Sequence, residues 1–380
     1  MHRETIEFIK KQFGQKDFIP LHEPVFAGNE KKYLNECIDS TYVSYIGKFV
    51  HEFERNIQDF TGAKFAIATS NGTVALHSAL ILAGVKEDDE VLIPALTFVA
   101  TANAVAYCHA HPLFVDSNKK TLGIDIEKLR EFLETTTHTK DDGFCYNKKS
   151  GRRIMAVIAM HTFGHPVEMD ELNSLAKRFN ITVIEDAAES IGSKYKDRHT
   201  GTFGKLGVLS FNGNKTITTG GGGMIITNDE DIAIRARHIT TTAKLPHRWE
   251  FVHDEVGFNY RMSNINAAIG VAQMEMLENV IQSKRELAEQ YREFFEKTDI
   301  YFFTEPENCF SNYWLNVIFM NDRQIRDDFL HYSNDNGVMT RPAWTLLNKL
   351  RMYSECESMD LEGAQWLEDR IVSLPSSPRI

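Results

Sequence analysis

The stretch 65-FAIATSNGTVALHSALILAG-84 carries the fold in miniature. Residues 65–69 are apolar or small with no charge, as in a strand buried on both faces. Ser70-Asn71-Gly72-Thr73 breaks the run. From residue 72 to 84, Ala75, Leu76, Ala79 and Leu82 recur at helical spacing on one face. The pattern then repeats: EVLIP (90–94), a helix from about Val99 to Tyr107, PLFVD (112–116), RIMAVIAM (153–160), a helix over 170–179, ITVIED (181–186), VLSF (208–211) and GMIIT (223–227). Strand–helix alternation predicts an α/β chain with a large, mainly parallel seven-stranded sheet covered on both faces. GMIIT fits either a parallel or an antiparallel place in it.

Beyond the alternation, Thr227-Asn228-Asp229-Glu230 has the form of a capping box opening the next helix. A long helical stretch follows from Asn264 to Phe295, with Ile265, Ala268, Ile269, Ala272, Leu277 and Ile281 broadly at helical spacing. The expected organisation is a large domain with its N-terminal segment over 1–260, a connecting helix over 261–299 and a small C-terminal α+β domain over 300–380. The charged, Thr-rich stretch 117–150 reads as a loop-bearing insertion.

Composition narrows the partners. A net charge of -11 over 380 residues argues against nucleic acid or an anionic membrane, while leaving room for a small anion held by local basic groups. The five cysteines show no CxxC spacing, which fits reduced thiols better than a disulfide frame or a zinc site. The start, MHRETIEFIKKQFGQ, lacks an apolar signal core, and no apolar run approaches the roughly 20 residues of a membrane span. These features place the chain in the cytoplasm.

In open α/β sheets ligands collect at the carboxyl ends of strands. Ser70-Asn71-Gly72-Thr73 leads straight into a helix whose N-terminus can hold a phosphate, or simply caps it. Asp186 ends an apolar strand, where a carboxylate must be paired; it reads equally as an N-cap and as the partner of a protonated pyridine nitrogen. Phe98 offers a flat face or a core contact. Lys215 lies in 209-LSFNGNKTITTGGGGMIIT-227, between Ser210 and four glycines. Alone it is a surface lysine; among small residues beside a phosphate cup, it is an amine suited to an aldehyde. Phosphate cup, ring, carboxylate, hydroxyl, lysine and glycine run occur in one order, and together they are what pyridoxal phosphate (PLP) requires.

From IPLHEPVFAGNE through SNGTVALHSAL, PALTFVATANA, MHTFGHP, IEDAAES, GTFGKLGVLSFNGNKTITTGGGGM and GFNYRMSNINAAIG to MTRPAWTLLNKL, the chain resembles the DegT/DnrJ/EryC1/StrS sugar aminotransferases. The resemblance implies the aspartate aminotransferase fold (fold type I). It implies that Lys215 binds the cofactor covalently and moves the substrate proton, and that Asp186 holds the pyridine nitrogen. Gly72, Thr73 and Ser210 are to bind the phosphate, and Phe98 to stack on the ring. Asn259 in GFNYR is to reach the cofactor of a neighbouring subunit, making a homodimer with shared sites. His161 is to stand near the cofactor or serve as a buried structural histidine. Glu189 departs from the Gln common in relatives, which hydrogen-bonds near the ring hydroxyl, and the all-glycine run 220–223 departs from relatives with an acid there. SFNGNK…TTGGGG, HRWEFVHDEVGFNYRM and NDNGVMTRP are similar to the 4-aminotransferases of legionaminic acid synthesis. These take an amino group from L-glutamate to a nucleotide-linked 2-acetamido-4-keto-2,6-dideoxyhexose. The alternatives are a GDP-4-keto-6-deoxymannose aminotransferase (perosamine synthase) and a non-catalytic regulatory relative. Lys244, His247 and Arg248 are candidate contacts for a substrate diphosphate or carboxylate, or a solvated basic loop. No metal is expected.

Overall fold

The computed structural model describes residues 2–380. Seven strands build the central sheet: β1 (Phe65–Thr69), β2 (Glu90–Pro94), β3 (His111–Val115), β4 (Ile154–Met160), β5 (Thr182–Asp186), β6 (Leu206–Ser210) and β7 (Gly223–Thr227). Their spatial order is β1-β7-β6-β5-β4-β2-β3. Alternate side chains of one strand serve opposite cores. Ile67 packs with Ala75, Leu76 and Ala79 of the helix Gly72–Leu82, while Ala66 and Ala68 face Phe49, Phe53 and Ala268 on the other side. This two-sided burial is why β1 has no polar face.

β7 answers the question its sequence left open: it runs antiparallel to both β1 and β6, and all other neighbours in the sheet are parallel. The register sets Gly223 opposite both Thr69 and Ser210. A Cβ at Gly223 would lie 2.4 Å from the Asn71 carbonyl oxygen and 2.8 Å from the Gly72 nitrogen. Only glycine lets the turn after β1 close over this point.

Several expectations change. The stretch expected to be one long helix is two, Asn264–Met274 and Leu277–Phe295, interrupted at Glu275 and Met276. The helix after β7, Glu230–Thr240, is capped by Asp229, whose carboxylate accepts from the Ile232 amide. Thr227 is still the last residue of β7, so its hydroxyl donates to the Lys205 carbonyl and accepts from the Asp229 amide rather than forming a box with Glu230. Residues 117–150 hold a helix, Ile126–Thr136, and a short hairpin, Thr137–Thr139 with Cys145–Asn147. The N-terminal helix His2–Gln12, grouped above with the large sheet, buries Ile6 and Ile9 against Leu287, Phe329 and Val372 of the C-terminal part.

That part contains a four-stranded antiparallel sheet in the order Tyr301–Phe302, Asn316–Phe319, Ile371–Leu374, Arg341–Pro342. Among the described residues no helix is long and apolar enough to cross a membrane, and the five cysteines are free thiols.

Candidate active site

The carboxyl ends of β5 and β6 and the turn after β1 open on a cleft of about 310 Å³. Gly72, Thr73, Phe98, Asp186, Glu189, Ser210 and Lys215 all line it, so seven of the eight residues expected to form the site converge. Each is placed by an element end. Asn71 caps the helix Gly72–Leu82 by accepting from the Val74 amide at 3.0 Å, which leaves the Gly72 and Thr73 amides in the open first turn. A Cβ on Gly72 would stand 3.1 Å from the Ser210 hydroxyl oxygen, so the hydroxyl and the bare turn form one small cup. Phe98 begins the helix Val99–Tyr107 and is half exposed toward the cleft, with Ala188 also in its wall.

Asp186 is almost wholly buried. One oxygen accepts from the Thr101 hydroxyl at 2.9 Å and the other from the Ala188 amide at 3.2 Å. Burial raises its pKa above the ordinary carboxylate range, against the pull of the Thr101 and Ala188 bonds and the charge of Lys215. A carboxylate kept this costly, with room in front of it, is suited to a cationic N–H in a ring.

Lys215 is held from two sides. Its ammonium lies 3.1 Å from Glu189 Oε1 and 4.1 Å from the centre of the Trp314 ring. The other Glu189 oxygen accepts from the Phe163 amide at 2.9 Å. Phe163 adopts φ +56°, the left-handed region that costs a non-glycine residue about 1–3 kcal/mol where the surroundings enforce it. Burial lifts Glu189 to about 7, opposed first by the charge of Lys215.

Glu189 therefore changes charge near neutrality, beside the one amine in the cleft. Below about pH 7 it holds its own proton; above, it can take one from the Lys215 ammonium. Capture of PLP by the cofactor-free protein, followed as growth of visible absorption, is expected to rise with pH through an inflection near 7. Glu189→Gln should remove that inflection while leaving the Phe163 contact able to form. An unchanged inflection in the variant would assign the titration elsewhere.

Other expected residues lie outside the cleft wall. Asn259 is exposed on a bridge to Thr241. His161 is fully buried directly after β4, its amide donating to the Asp186 carbonyl at 3.1 Å; Val167 donates to its Nδ1 at 3.1 Å, so Nε2 carries the hydrogen toward Glu185 at 2.9 Å. The glycine run is not uniform. Gly223 makes room for the Asn71–Gly72 turn and Gly222 is crowded by Thr219 and Met262, whereas a Cβ on Gly220 or Gly221 would meet nothing nearer than 3.8 Å. Lys244, His247 and Arg248 lie on an exposed arm away from this cleft.

The sequence reading missed Thr101, Trp314 and Trp344. Thr101 stands three residues after Phe98, one helical turn on, and that spacing could have suggested it. The two tryptophans arrive from the C-terminal part, and local pattern carries no sign of that. The residues present fit PLP: a cup for phosphate, a face for a ring, a buried acid and an amine in one cleft of suitable size.

Comparison with known proteins agrees. The model of the DegT/DnrJ/EryC1/StrS aminotransferase family matches residues 25–380. A GDP-perosamine synthase of Escherichia coli O157:H7 is 38% identical over 363 residues, covering 96% of this chain and 94% of the relative. EpsN of Bacillus subtilis, assigned as a pyridoxal phosphate-dependent aminotransferase, is 37% identical over 331 residues, covering 87% and 82%. The crystal structure of the aminotransferase TlmJ from Streptoalloteichus hindustanus superposes with a TM-score of 0.85 at 27% identity, covering 94% of this chain and 93% of that one. The chain belongs to the DegT/DnrJ/EryC1/StrS aminotransferase family and is a PLP-dependent aminotransferase of nucleotide sugars.

Proposed function

We propose that this protein transfers an amino group from L-glutamate to the C4 ketone of GDP-linked 4-keto-6-deoxymannose, giving a perosamine-type sugar nucleotide in the cytoplasm. The observation that carries the reading is the convergence of Lys215, Asp186 and the Gly72–Ser210 cup in one cleft, on a chain 38% identical to a GDP-perosamine synthase. The motifs that pointed toward legionaminic acid synthesis find less support, since GDP-perosamine synthase is the activity the 38% identical relative is named for. That N-acetylated substrate is the second reading.

When bound, PLP supplies an aldehyde that takes up amines and a ring that stores an electron pair. The Gly72 and Thr73 amides and the Ser210 hydroxyl would hold its phosphate at the helix N-terminus. Phe98 would cover one ring face, Asp186 would keep the ring nitrogen protonated, and Glu189 would sit near the ring hydroxyl. Lys215 takes the proton from the glutamate Cα in the first half-reaction and delivers one to sugar C4 in the second. Trp314 and Trp344 wall the same cleft and would keep water from the Lys215 side.

Lys215 is the single cation among the residues lining the cleft, facing the carboxylates Asp186 and Glu189. A dicarboxylate donor and a sugar diphosphate both need more positive charge. The exposed arm supplies it in the proposed homodimer: Lys244, His247 and Arg248 sit beside Trp249, Phe251 and Val256, which are 68%, 79% and 86% exposed. Asn259 lies at the base of the same arm and would meet the neighbour's phosphate cup.

The test is an absorption spectrum of the purified holoprotein with glutamate, followed by candidate sugars. Glutamate should bleach the visible band, and the GDP-linked 4-keto sugar should restore it. Restoration only by a UDP-linked N-acetylated 4-keto sugar would transfer the assignment to the second reading. A protein that shows no visible band with PLP, with or without glutamate, would sink both.

A further inference from the structure

Lys284 lies in the helix Leu277–Phe295 with no solvent exposure, and it has no part in the chemistry described so far. Its amine donates to two backbone carbonyls, that of Trp314 at 3.2 Å and that of Ser376. Among the described residues no carboxylate pairs with it, and burial takes its pKa well below the ordinary lysine range. A buried lysine without an acid is costly, and an apolar side chain would fill the same space without desolvating a charge. A neutral amine has two N–H groups, and here both have acceptors.

The Trp314 carbonyl is one of three backbone and side-chain groups by which that residue is fixed. Its amide donates to Asn312 Oδ1 at 2.8 Å, and its indole N–H donates to the carbonyl of Asn214 at 2.7 Å, next to Lys215. The ring then lies over the Lys215 ammonium at 4.1 Å. The Ser376 side chain is bonded in turn to Asn316, the first residue of its strand. Lys284 is thus a single point joining the connecting helix, the C-terminal segment and the residue that covers the catalytic amine.

We infer that Lys284 is a positioning residue for amino transfer: its buried amine holds the Trp314 backbone so that the indole stays over Lys215. This rests on the aminotransferase reading above. Pulling the carbonyl free would let the ring tilt, which alters where Lys215 can stand relative to a substrate carbon without altering how substrate is held. His22, whose two ring nitrogens are buried without partners, lies in electrostatic reach of both Lys284 and Lys215.

The experiment is a double-mutant cycle in the holoenzyme with Lys284→Met and Trp314→Leu, read by single-turnover glutamate half-reaction and by visible circular dichroism of the bound cofactor. Lys284→Met should slow the half-reaction about tenfold or more, with the glutamate KM little moved, and should change the dichroic band. In the Trp314→Leu background the same substitution should cost less than about twofold, because its route to Lys215 is already gone. Equal losses in the two backgrounds, or an unchanged dichroic band, would overturn the proposal. Should Lys284→Met not fold, Lys284→Leu, which also removes the donor, is run through the same cycle under the same criterion. Half-reaction activity in the wild type upholds the aminotransferase reading whichever way the Lys284 series falls, so the two can fail separately.

Discussion

Lys215→Ala is expected to bind PLP, show no covalent visible band and transfer no measurable amino group. The cup of Gly72, Thr73 and Ser210, the face of Phe98 and the carboxylate of Asp186 are untouched by the substitution, so the cofactor retains its non-covalent contacts. On the proposed function, lost together are the amine that would hold the aldehyde and the group that would move the proton at the donor Cα and at sugar C4. A positioned proton-transfer group alone is worth about 10²–10⁴ in rate, and here the same side chain has a second duty, so the fall should exceed that range. Equilibrium dialysis of PLP separates binding from chemistry. Retained turnover above about one part in 10⁴ would mean that another group, with Glu189 the nearest, can move the proton.

Asp186→Asn should trade activity for stability. The amide keeps the shape of the carboxylate and can still accept from Thr101 or Ala188, so the fold survives, but it cannot hold a proton on a pyridine nitrogen. Loss of a charge placed to stabilise a developing transition state costs about 10²–10³ in rate, and a fall of that order is expected in both half-reactions. The stability effect runs the other way. Burial raises the folded pKa of Asp186 above its unfolded value, so between the two values the folded state binds more protons than the unfolded state. Stability then falls as pH rises through that window, and above it the buried charge is a full liability. The cofactor-free Asp186→Asn protein should melt higher than wild type at pH 7, with the gap closing toward acid pH. A lower melting temperature at pH 7 would show that the Thr101 and Ala188 bonds outweigh desolvation.

Much of this site could be read in the sequence because it is built from strand ends. Asp186 and Ser210 each end a five-residue strand and the Asn71–Gly72 turn follows another, and the fold stacks such ends on one side of a mainly parallel sheet. Trp314 and Trp344 could not be found this way. They reach the cleft through packing between parts of the chain 100 or more residues apart, as the bond from Trp314 to Asn214 illustrates. In the glycine run, composition announces close approach, but only the antiparallel pairing of β7 says to what, and for Gly223 the answer is the Asn71 backbone. The preferred sugar was the least legible feature. On the proposed reading its recognition would fall to loops and to the exposed arm, where no periodicity constrains the residues, and the 38% identical relative favours the GDP-linked substrate.

The antiparallel course of β7 has a consequence for motion. Because β6 ends and β7 begins side by side, the loop carrying Lys215 is tethered at both ends to one edge of rigid sheet. It is also cross-tied within itself, Phe211 to the Gly222 carbonyl at 2.8 Å and Thr219 to the Phe211 carbonyl at 2.9 Å. Such a loop has no hinge to swing on. Lys215 must travel between cofactor and substrate by rotation about its own side-chain bonds, on timescales of roughly picoseconds to nanoseconds where the chain is free. A slow conformational step in turnover is then to be sought outside the backbone that presents the amine.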